Sequence, residues 1–200
     1  MKKITIAILL SAFAAAPVFA ADQGAYIAVD LGQVSYSNAT SQFSGANAPN
    51  PNAIILGGGY HFSQYMGVEA DYSIIGDSSI TTVAGAASAT EKLKTSSFQV
   101  AAVGTFPINN QFSLFGKLGL ANTKIDYTLT PGPGTIIVGG VTATSGSKTN
   151  LMFALGAQFN INQHWGIRAQ YQDFGKVQLD AVGAPNIGVK LYSLGGVYNF

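Results

Sequence analysis

The last ten residues, LYSLGGVYNF, alternate between two kinds of position. Tyr192, Leu194, Tyr198 and Phe200 fall on one face of an extended chain, and the positions between them are mostly small or polar. Side chains of a β-strand point alternately to its two faces, so this segment predicts a strand with one apolar, aromatic face. A chain that closes on such a strand needs neighbouring strands that share the same alternation.

The low charge content limits what such strands can build. Only 10% of the residues are charged and 48% are hydrophobic, whereas a typical soluble domain has about 25% charged residues. After residue 20, no segment approaches the roughly 20 consecutive apolar residues that a spanning helix needs. A closed barrel is the other structure that satisfies its backbone groups inside lipid, so the composition favours a membrane barrel.

The first twenty residues have the pattern of an export signal. Lys2 and Lys3 precede an apolar segment at 4–16, and small residues before position 21 suit cleavage after Ala20. We therefore predict a signal peptide at 1–20 and a barrel domain at 21–200. Without Lys2 and Lys3 the chain has 8 basic and 9 acidic residues, because the full sequence has 10 and 9. This balance gives no indication of nucleic-acid binding, and the absence of cysteine excludes disulfides and thiolate metal sites.

The remaining chain divides into eight alternating segments, and membrane strands need about 9–11 residues each. We predict strands at 24–34, 53–62, 66–75, 97–106, 112–121, 150–159, 165–172 and 187–200. Their connections are alternately long and short, with short turns at 63–64, 107–111 and 160–163. The expected fold is all-β, an eight-stranded antiparallel up-and-down transmembrane β-barrel. A soluble barrel would carry its apolar face inward, but here the charged residues share a face with glycine and glutamine.

Five charged residues lie on the predicted inner face of the barrel. They are Asp30, Glu69, Asp71, Lys117 and Arg168. Their positions along the strands predict one layer of three acids and two bases inside a barrel just wide enough for side chains to fill. The layer is interpreted as a structural polar core that closes the barrel.

Two strand–turn–strand segments carry a family resemblance. FPINNQFSLFGKLGLA (106–121) and FNINQHWGIRAQYQDF (159–174), with the signal and the terminal strand, resemble the small eight-stranded outer-membrane proteins of Gram-negative bacteria. That group includes the OmpA transmembrane domain and opacity-type surface proteins. The resemblance implies an outer-membrane location, contact with lipid and lipopolysaccharide, and insertion by the barrel-assembly machinery. It also implies that Tyr192, Leu194, Tyr198 and Phe200 form the assembly signal, and that interior acid–base pairs switch a small pore.

The leading functional interpretation is a structural surface protein or a narrow, porin-like channel. The alternative is an adhesin or host-interaction protein that acts through the external loops, especially 122–149. At 124–141 we predict a hairpin that continues strands five and six above the membrane. Its exposed apolar residues pair with each other or bind a host or neighbouring protein along an edge. Its candidate contact residues are Ile125, Tyr127, Leu129, Ile136, Ile137 and Val138.

A lipid A-modifying enzyme is the third and weakest interpretation. His61 and Ser63 have an H-x-S spacing similar to that of lipid A deacylases, but His61 is predicted to point inward near a short turn, far from the outer leaflet. His164 lies in another short turn. The sequence therefore indicates no catalytic, cofactor-binding or metal-binding residues, and the prediction is a protein that is not an enzyme.

Overall fold

The computed structural model describes residues 23–37, 50–84, 87–132, 143–178 and 186–200, and the predicted signal peptide lies outside them. The strands are β1 (Gly24–Ser37), β2 (Asn52–Ser63), β3 (Met66–Ala84), β4 (Ala87–Pro107), β5 (Phe112–Pro131), β6 (Ala143–Asn160), β7 (Trp165–Gln178) and β8 (Asn186–Asn199). Each strand pairs antiparallel with the next, and β8 pairs with β1 to close the barrel. The predicted eight-stranded up-and-down barrel is confirmed. Nowhere in these described ranges is a helix long and apolar enough to cross a bilayer.

The two faces of each strand differ as the alternation predicts. On β1, Ile27, Val29 and Leu31 are exposed on the outer surface, whereas Tyr26 and Asp30 are buried inside. The same alternation recurs around the barrel and leaves large apolar side chains on its outside. This outer apolar belt is the surface expected of a barrel whose solvent is lipid.

Three short turns connect the strands at one end of the barrel, which we call the turn end. In the second turn, Asn109 Oδ1 accepts hydrogen bonds from the backbone N–H groups of Gln111 and Phe112 at 2.9 and 2.8 Å. In the third turn, Asn162 Oδ1 accepts from the N–H groups of His164 and Trp165 at the same two distances. Such local bonds are the reason asparagine favours tight turns.

At the opposite end, the loop end, the strands are longer than predicted. The loop predicted at 76–94 is largely strand, because β3 and β4 pair out to Ala84↔Ala87. The hairpin predicted within 122–149 as a continuation of strands five and six agrees with the pairing of β5 and β6, which extends to Thr128↔Ala143. Inward-facing Leu93 and Ile125 are fully buried there, which stabilises strands of otherwise small and polar residues. Ile136, Ile137 and Val138 lie outside the described residues.

The interior towards the loop end contains apolar as well as polar side chains, so the predicted polar interior is only part of it. A single cluster of buried side chains, here called the apolar layer, receives residues from all eight strands. Its members are Val34, Ala53, Ile55, Ile75, Leu93, Ala101, Ala121, Ile125, Met152, Phe174, Val177, Ile187, Val189 and Leu191. The strand alternation places most of these residues inward beyond the charged positions. Buried polar side chains are interleaved with them, namely Ser73, Thr95, Ser97, Gln99, Thr123 and Gln172. The interior therefore has a charged level and, beyond it, the apolar layer with these polar residues between its members.

Candidate functional site

The five inward charges predicted from the sequence lie together, and we call them the charge layer. Lys117 on β5 reaches across to β3, where its Nζ lies 2.7 Å from Glu69 Oε1 and 3.4 Å from Asp71 Oδ2. Glu69 and Asp71 are two residues apart on β3 and therefore point to the same face. One ammonium group thus holds two neighbouring carboxylates.

Arg168 joins the other side of the charge layer. Its guanidinium binds Asp30 through two nearly parallel bonds, Nε to Oδ1 at 2.9 Å and Nη2 to Oδ2 at 2.7 Å. The same group donates from Nη1 to Glu69 Oε2 at 3.1 Å. Each of the five side chains is 3% exposed or less. A two-point contact between guanidinium and carboxylate is the strongest ion-pair geometry available to these side chains.

Two further residues belong to the charge layer and were not identified from the sequence. Tyr26 Oη donates to Glu69 Oε2 at 2.6 Å, and Gln170 Nε2 donates to Asp30 Oδ2 at 3.3 Å. The alternation of β1 and β7 already indicates that both side chains point inward. Which carboxylate each one reaches depends on the barrel's shear and was not visible in the strand pattern.

Glycines line the wall beside the carboxylates. A Cβ atom built on Gly57 would collide with Asp71 Oδ1, and one built on Gly195 would collide with Asp30 Oδ1. These positions on β2 and β8 leave no room for a side chain, because the carboxylates of Asp71 and Asp30 lie directly against the backbone. The inward glycines of the sequence are part of the site's shape.

The terminal-strand residues lie on the outer surface. Tyr192 and Leu194 are exposed, and the Tyr198 ring contacts Trp165 and Phe200 with centroids 4.9 and 5.2 Å apart. This aromatic group sits at the turn end. Its role as an assembly signal stays a prediction.

The predicted loop contact surface is wrong at Ile125. That side chain is fully buried in the apolar layer, since it occupies an inward position of β5. Tyr127 packs against the apolar layer and is partly buried, and Leu129 is half-buried. None of the three forms an exposed apolar patch.

The two histidines lie at the turn end, where the sequence placed them. His61 stacks on the ring of Tyr26 with centroids 4.7 Å apart, and His164 stacks on Tyr198 at 5.9 Å. Across the described part of the chain, no group of three or more His, Cys, Asp or Glu side chains is arranged to hold a metal ion.

An all-antiparallel barrel with an apolar outer belt, short turns at one end and buried charges inside defines an outer-membrane β-barrel. The sequence profile of the outer membrane protein beta-barrel domain matches residues 5–200, and the chain belongs to this family. Its location is therefore the outer membrane of a Gram-negative bacterium, where the turn end of such barrels faces the periplasm.

Several solved structures have the same fold. The attachment invasion locus protein Ail of Yersinia pestis, solved in complex with the heparin analogue sucrose octasulfate, is 22% identical, with 90% of this chain and 99% of that chain covered and a TM-score of 0.57. Neisserial surface protein A is 14% identical, with 88% of this chain and 97% of that chain covered and a TM-score of 0.59. The N-terminal β-barrel domain of Pseudomonas aeruginosa OprF is 12% identical, with 88% of this chain and 97% of that chain covered and a TM-score of 0.50. Among curated proteins no sequence matches this chain.

Proposed function

We propose that this protein is a structural surface barrel whose interior is closed at two levels. The observation that carries the proposal is the stacking of the apolar layer, with side chains from all eight strands, beyond the buried charge layer. An eight-stranded barrel leaves little room once its inward side chains are in place. Two filled levels along the barrel axis support a closed interior rather than a continuous pore.

The energetics also favour a closed barrel over a narrow channel. Opening the charge layer breaks buried ion pairs, which typically costs about 3–5 kcal/mol per pair. An ion would then still meet the apolar layer, where Phe174 and Leu191 offer no polar atoms and the interleaved polar side chains, such as Gln99 and Gln172, are themselves completely buried. A gate that moved only the ion pairs would leave the second level closed.

Planar-bilayer recording separates these two interpretations. The wild-type protein is expected to carry no steady ion current, and Arg168→Ala alone is expected to stay closed because the apolar layer remains. Combining Arg168→Ala with Phe174→Ala and Leu191→Ala should open a measurable current. A steady current through the wild type or through the Arg168→Ala variant would contradict the closed barrel and favour the gate.

The second candidate function is surface binding, and the edge of β6 favours it. β6 pairs with β5 out to Ala143, but its pairing with β7 begins only at Phe153↔Asp173. The Asn150 side chain donates to the Phe174 and Lys176 carbonyls at 3.4 and 2.9 Å. Residues 143–149 therefore have no ladder partner on that side among the described residues. An extended segment of a host or neighbouring protein could add a strand there.

Two adjacent proline substitutions test this edge. Neighbouring residues of a strand direct their N–H groups to opposite sides. Of Ser145→Pro and Gly146→Pro, one therefore removes a backbone hydrogen bond to β5. The other, the edge variant, removes only a backbone N–H donor at the free edge of β6. The edge variant should lose attachment to host cells while it keeps its heat-dependent gel mobility. If both variants attach as the wild type does, the edge is not the binding surface.

Three partner assignments follow from the family and the outer belt. We infer contact between the apolar belt and membrane lipid, contact of the loop end with lipopolysaccharide, and recognition of the terminal strand by the barrel-assembly machinery. Ail binds a heparin analogue in its crystal structure, which supports testing the loop end of this protein for polyanion binding. His61 and Ser63 lie at the turn end, so we assign them no role in lipid A chemistry.

A further inference from the structure

The charge layer contains one acid more than its bases can neutralise. Three carboxyl groups, those of Asp30, Glu69 and Asp71, meet two cationic groups, those of Lys117 and Arg168. All five side chains are 3% exposed or less, and an uncompensated charge at such a depth is strongly unfavourable. In the part of the chain that the structure describes, no further cation pairs with the three acids. One acid is therefore a candidate for a neutral group.

The contacts of the three acids are unequal, and those of Asp71 are the weakest. Arg168 holds Asp30 through two bonds of 2.9 and 2.7 Å. Lys117 donates to Glu69 at 2.7 Å but to Asp71 only at 3.4 Å. The nearest nitrogen of Arg168 lies 4.0 Å from Asp71 Oδ1. Of the three carboxyl groups, that of Asp71 gains least from being ionised.

The Oδ1 atom of Asp71 also indicates a neutral group. It is buried and has no hydrogen-bond donor among the described residues. It lies against the backbone of Gly57, where Glu69 Oε1 is also close, and the two carboxyl groups are near enough for a direct hydrogen bond. Two ionised carboxylates have no donor between them. Neighbouring carboxyl groups avoid this conflict when one of them keeps a proton.

Glu69 can accept a hydrogen bond from such a proton. It receives three hydrogen bonds, from Tyr26, Lys117 and Arg168, and a carboxylate has about four acceptor positions. The fourth position is left for Asp71.

The other groups around Asp71 do not replace the missing charge. On the adjacent strands β2 and β4, Gly57 and Gln99 lie opposite Asp71, and neither titrates. The titratable groups that face it are Glu69 of β3, Lys117 of β5 and Arg168 of β7. Beyond these lie Asp30 and Tyr26 of β1 and His61 of β2, which stacks on Tyr26.

We propose that Asp71 is a proton-binding site, which holds one proton at neutral pH and donates it in a hydrogen bond to Glu69. One proton makes the charge layer neutral. An unfolded aspartate has lost its proton at neutral pH, so folding takes up one proton at this site. The barrel therefore loses stability as the pH rises, until the folded state itself releases the proton. The site does not depend on whether the barrel conducts.

Infrared spectroscopy of the refolded full-length barrel in lipid vesicles detects the proton directly. At neutral pH the wild type in heavy water should show the carbonyl band of a protonated carboxyl group. The band should shift when the side-chain carboxyl carbons of aspartate carry carbon-13, and it should not shift when those of glutamate carry the label. These spectra need no substitution and therefore do not depend on the folding of a variant.

Urea unfolding in the same vesicles measures the linked stability. Between about pH 5 and the pH at which the band disappears, the unfolding equilibrium constant of the wild type should rise about tenfold more per pH unit than that of Asp71→Asn, because one proton separates the two proteins. Asp77→Asn is the matched control, because Asp77 is an exposed carboxylate that pairs with Lys92 at 2.7 Å. It should keep the band and the pH dependence of the wild type. Heat-dependent gel mobility shows that each variant has folded.

Three results would overturn the proposal. The first is a wild-type spectrum without the band at neutral pH, which would mean that all three acids are ionised. The second is a band that shifts with the glutamate label or persists in Asp71→Asn, which would place the proton on another group. The third is the same pH dependence of unfolding in Asp71→Asn and the wild type, which would exclude proton uptake at Asp71 on folding.

Discussion

Replacing Arg168 by alanine is the most direct test of the charge layer. The three shortest hydrogen bonds of the guanidinium, two to Asp30 and one to Glu69, are between 2.7 and 3.1 Å long. The side chain is 2% exposed, so water cannot take over these bonds without entering the barrel. The variant leaves Asp30 with Gln170 as its remaining donor at 3.3 Å.

The size of the effect follows from these contacts. Hydrogen bonds to charged groups contribute about 1.5–3 kcal/mol each, so three of them give an upper limit of about 5–9 kcal/mol. Glu69 keeps Lys117 and Tyr26 as partners at 2.7 and 2.6 Å, which reduces the loss on that side. Breaking one buried pair costs about 3–5 kcal/mol. We therefore expect Arg168→Ala to lower the free energy of unfolding by about 3–5 kcal/mol.

A lysine at the same position separates charge from geometry. Arg168→Lys keeps the positive charge but cannot make the two parallel bonds to Asp30. It should cost about 1.5–3 kcal/mol, the contribution of one charge-assisted bond. Asp30→Asn combined with Arg168→Ala should cost less than the sum of the single variants, with a coupling energy of about 1–3 kcal/mol.

Reversible urea unfolding in lipid vesicles provides the measurement, with the unfolded and folded forms distinguished by tryptophan fluorescence of Trp165 and by gel mobility. If Arg168→Ala has an unfolding free energy within about 1 kcal/mol of the wild type, the Arg168 ion pairs contribute no more than exposed ion pairs do, and the expected buried contribution is wrong. Strict additivity of the Asp30 and Arg168 substitutions would refute the pairing itself.

Three further outcomes are expected. Deleting Phe200 should slow membrane insertion far more than deleting a single loop residue, as followed by heat-dependent gel mobility during refolding with the assembly machinery. Gly195→Ala should destabilise the barrel by about 1–3 kcal/mol through overpacking, whereas Gly104→Ala, whose Cβ would meet nothing within 4 Å, should be neutral in urea unfolding. In the strands beyond the apolar belt, burial and the nearby Glu91 carboxylate raise the pKa of Tyr127 to about 12; Glu91→Gln should lower that pKa in an absorbance titration referenced to Tyr127→Phe.

The sequence was most informative where strands meet the turns. The strands that begin at Met66, Phe112 and Trp165 start where the alternation predicted, because lipid on one side and a packed interior on the other impose opposite polarity on alternate residues. At the loop end, β3 and β4 were predicted too short, whereas the continuation of β5 was expected from the hairpin predicted at 124–141. Beyond the membrane, water replaces lipid, so the outer residues become polar and the alternation fades while the backbone ladder continues.

The charge layer was predictable as a set of residues but not as a set of pairs. Alternation indicates that Asp30 and Arg168 face inward, yet 138 positions separate them in the chain. Their contact depends on how far each strand is shifted along its neighbours. The role of Tyr26 was missed for the same reason, since its hydroxyl reaches Glu69 on β3 and not its neighbour on β2.

The bond between Arg168 and Asp30 has a consequence for the order of folding. β7 and β1 are not neighbours in the sheet, because β8 lies between them and pairs with both. The two side chains can therefore meet only after the first and last strands have joined. An interaction that forms after the rate-limiting step does not speed folding but slows its reversal. The ion pair thus stabilises the closed barrel after its strands have joined, and its loss should appear chiefly as a higher unfolding rate.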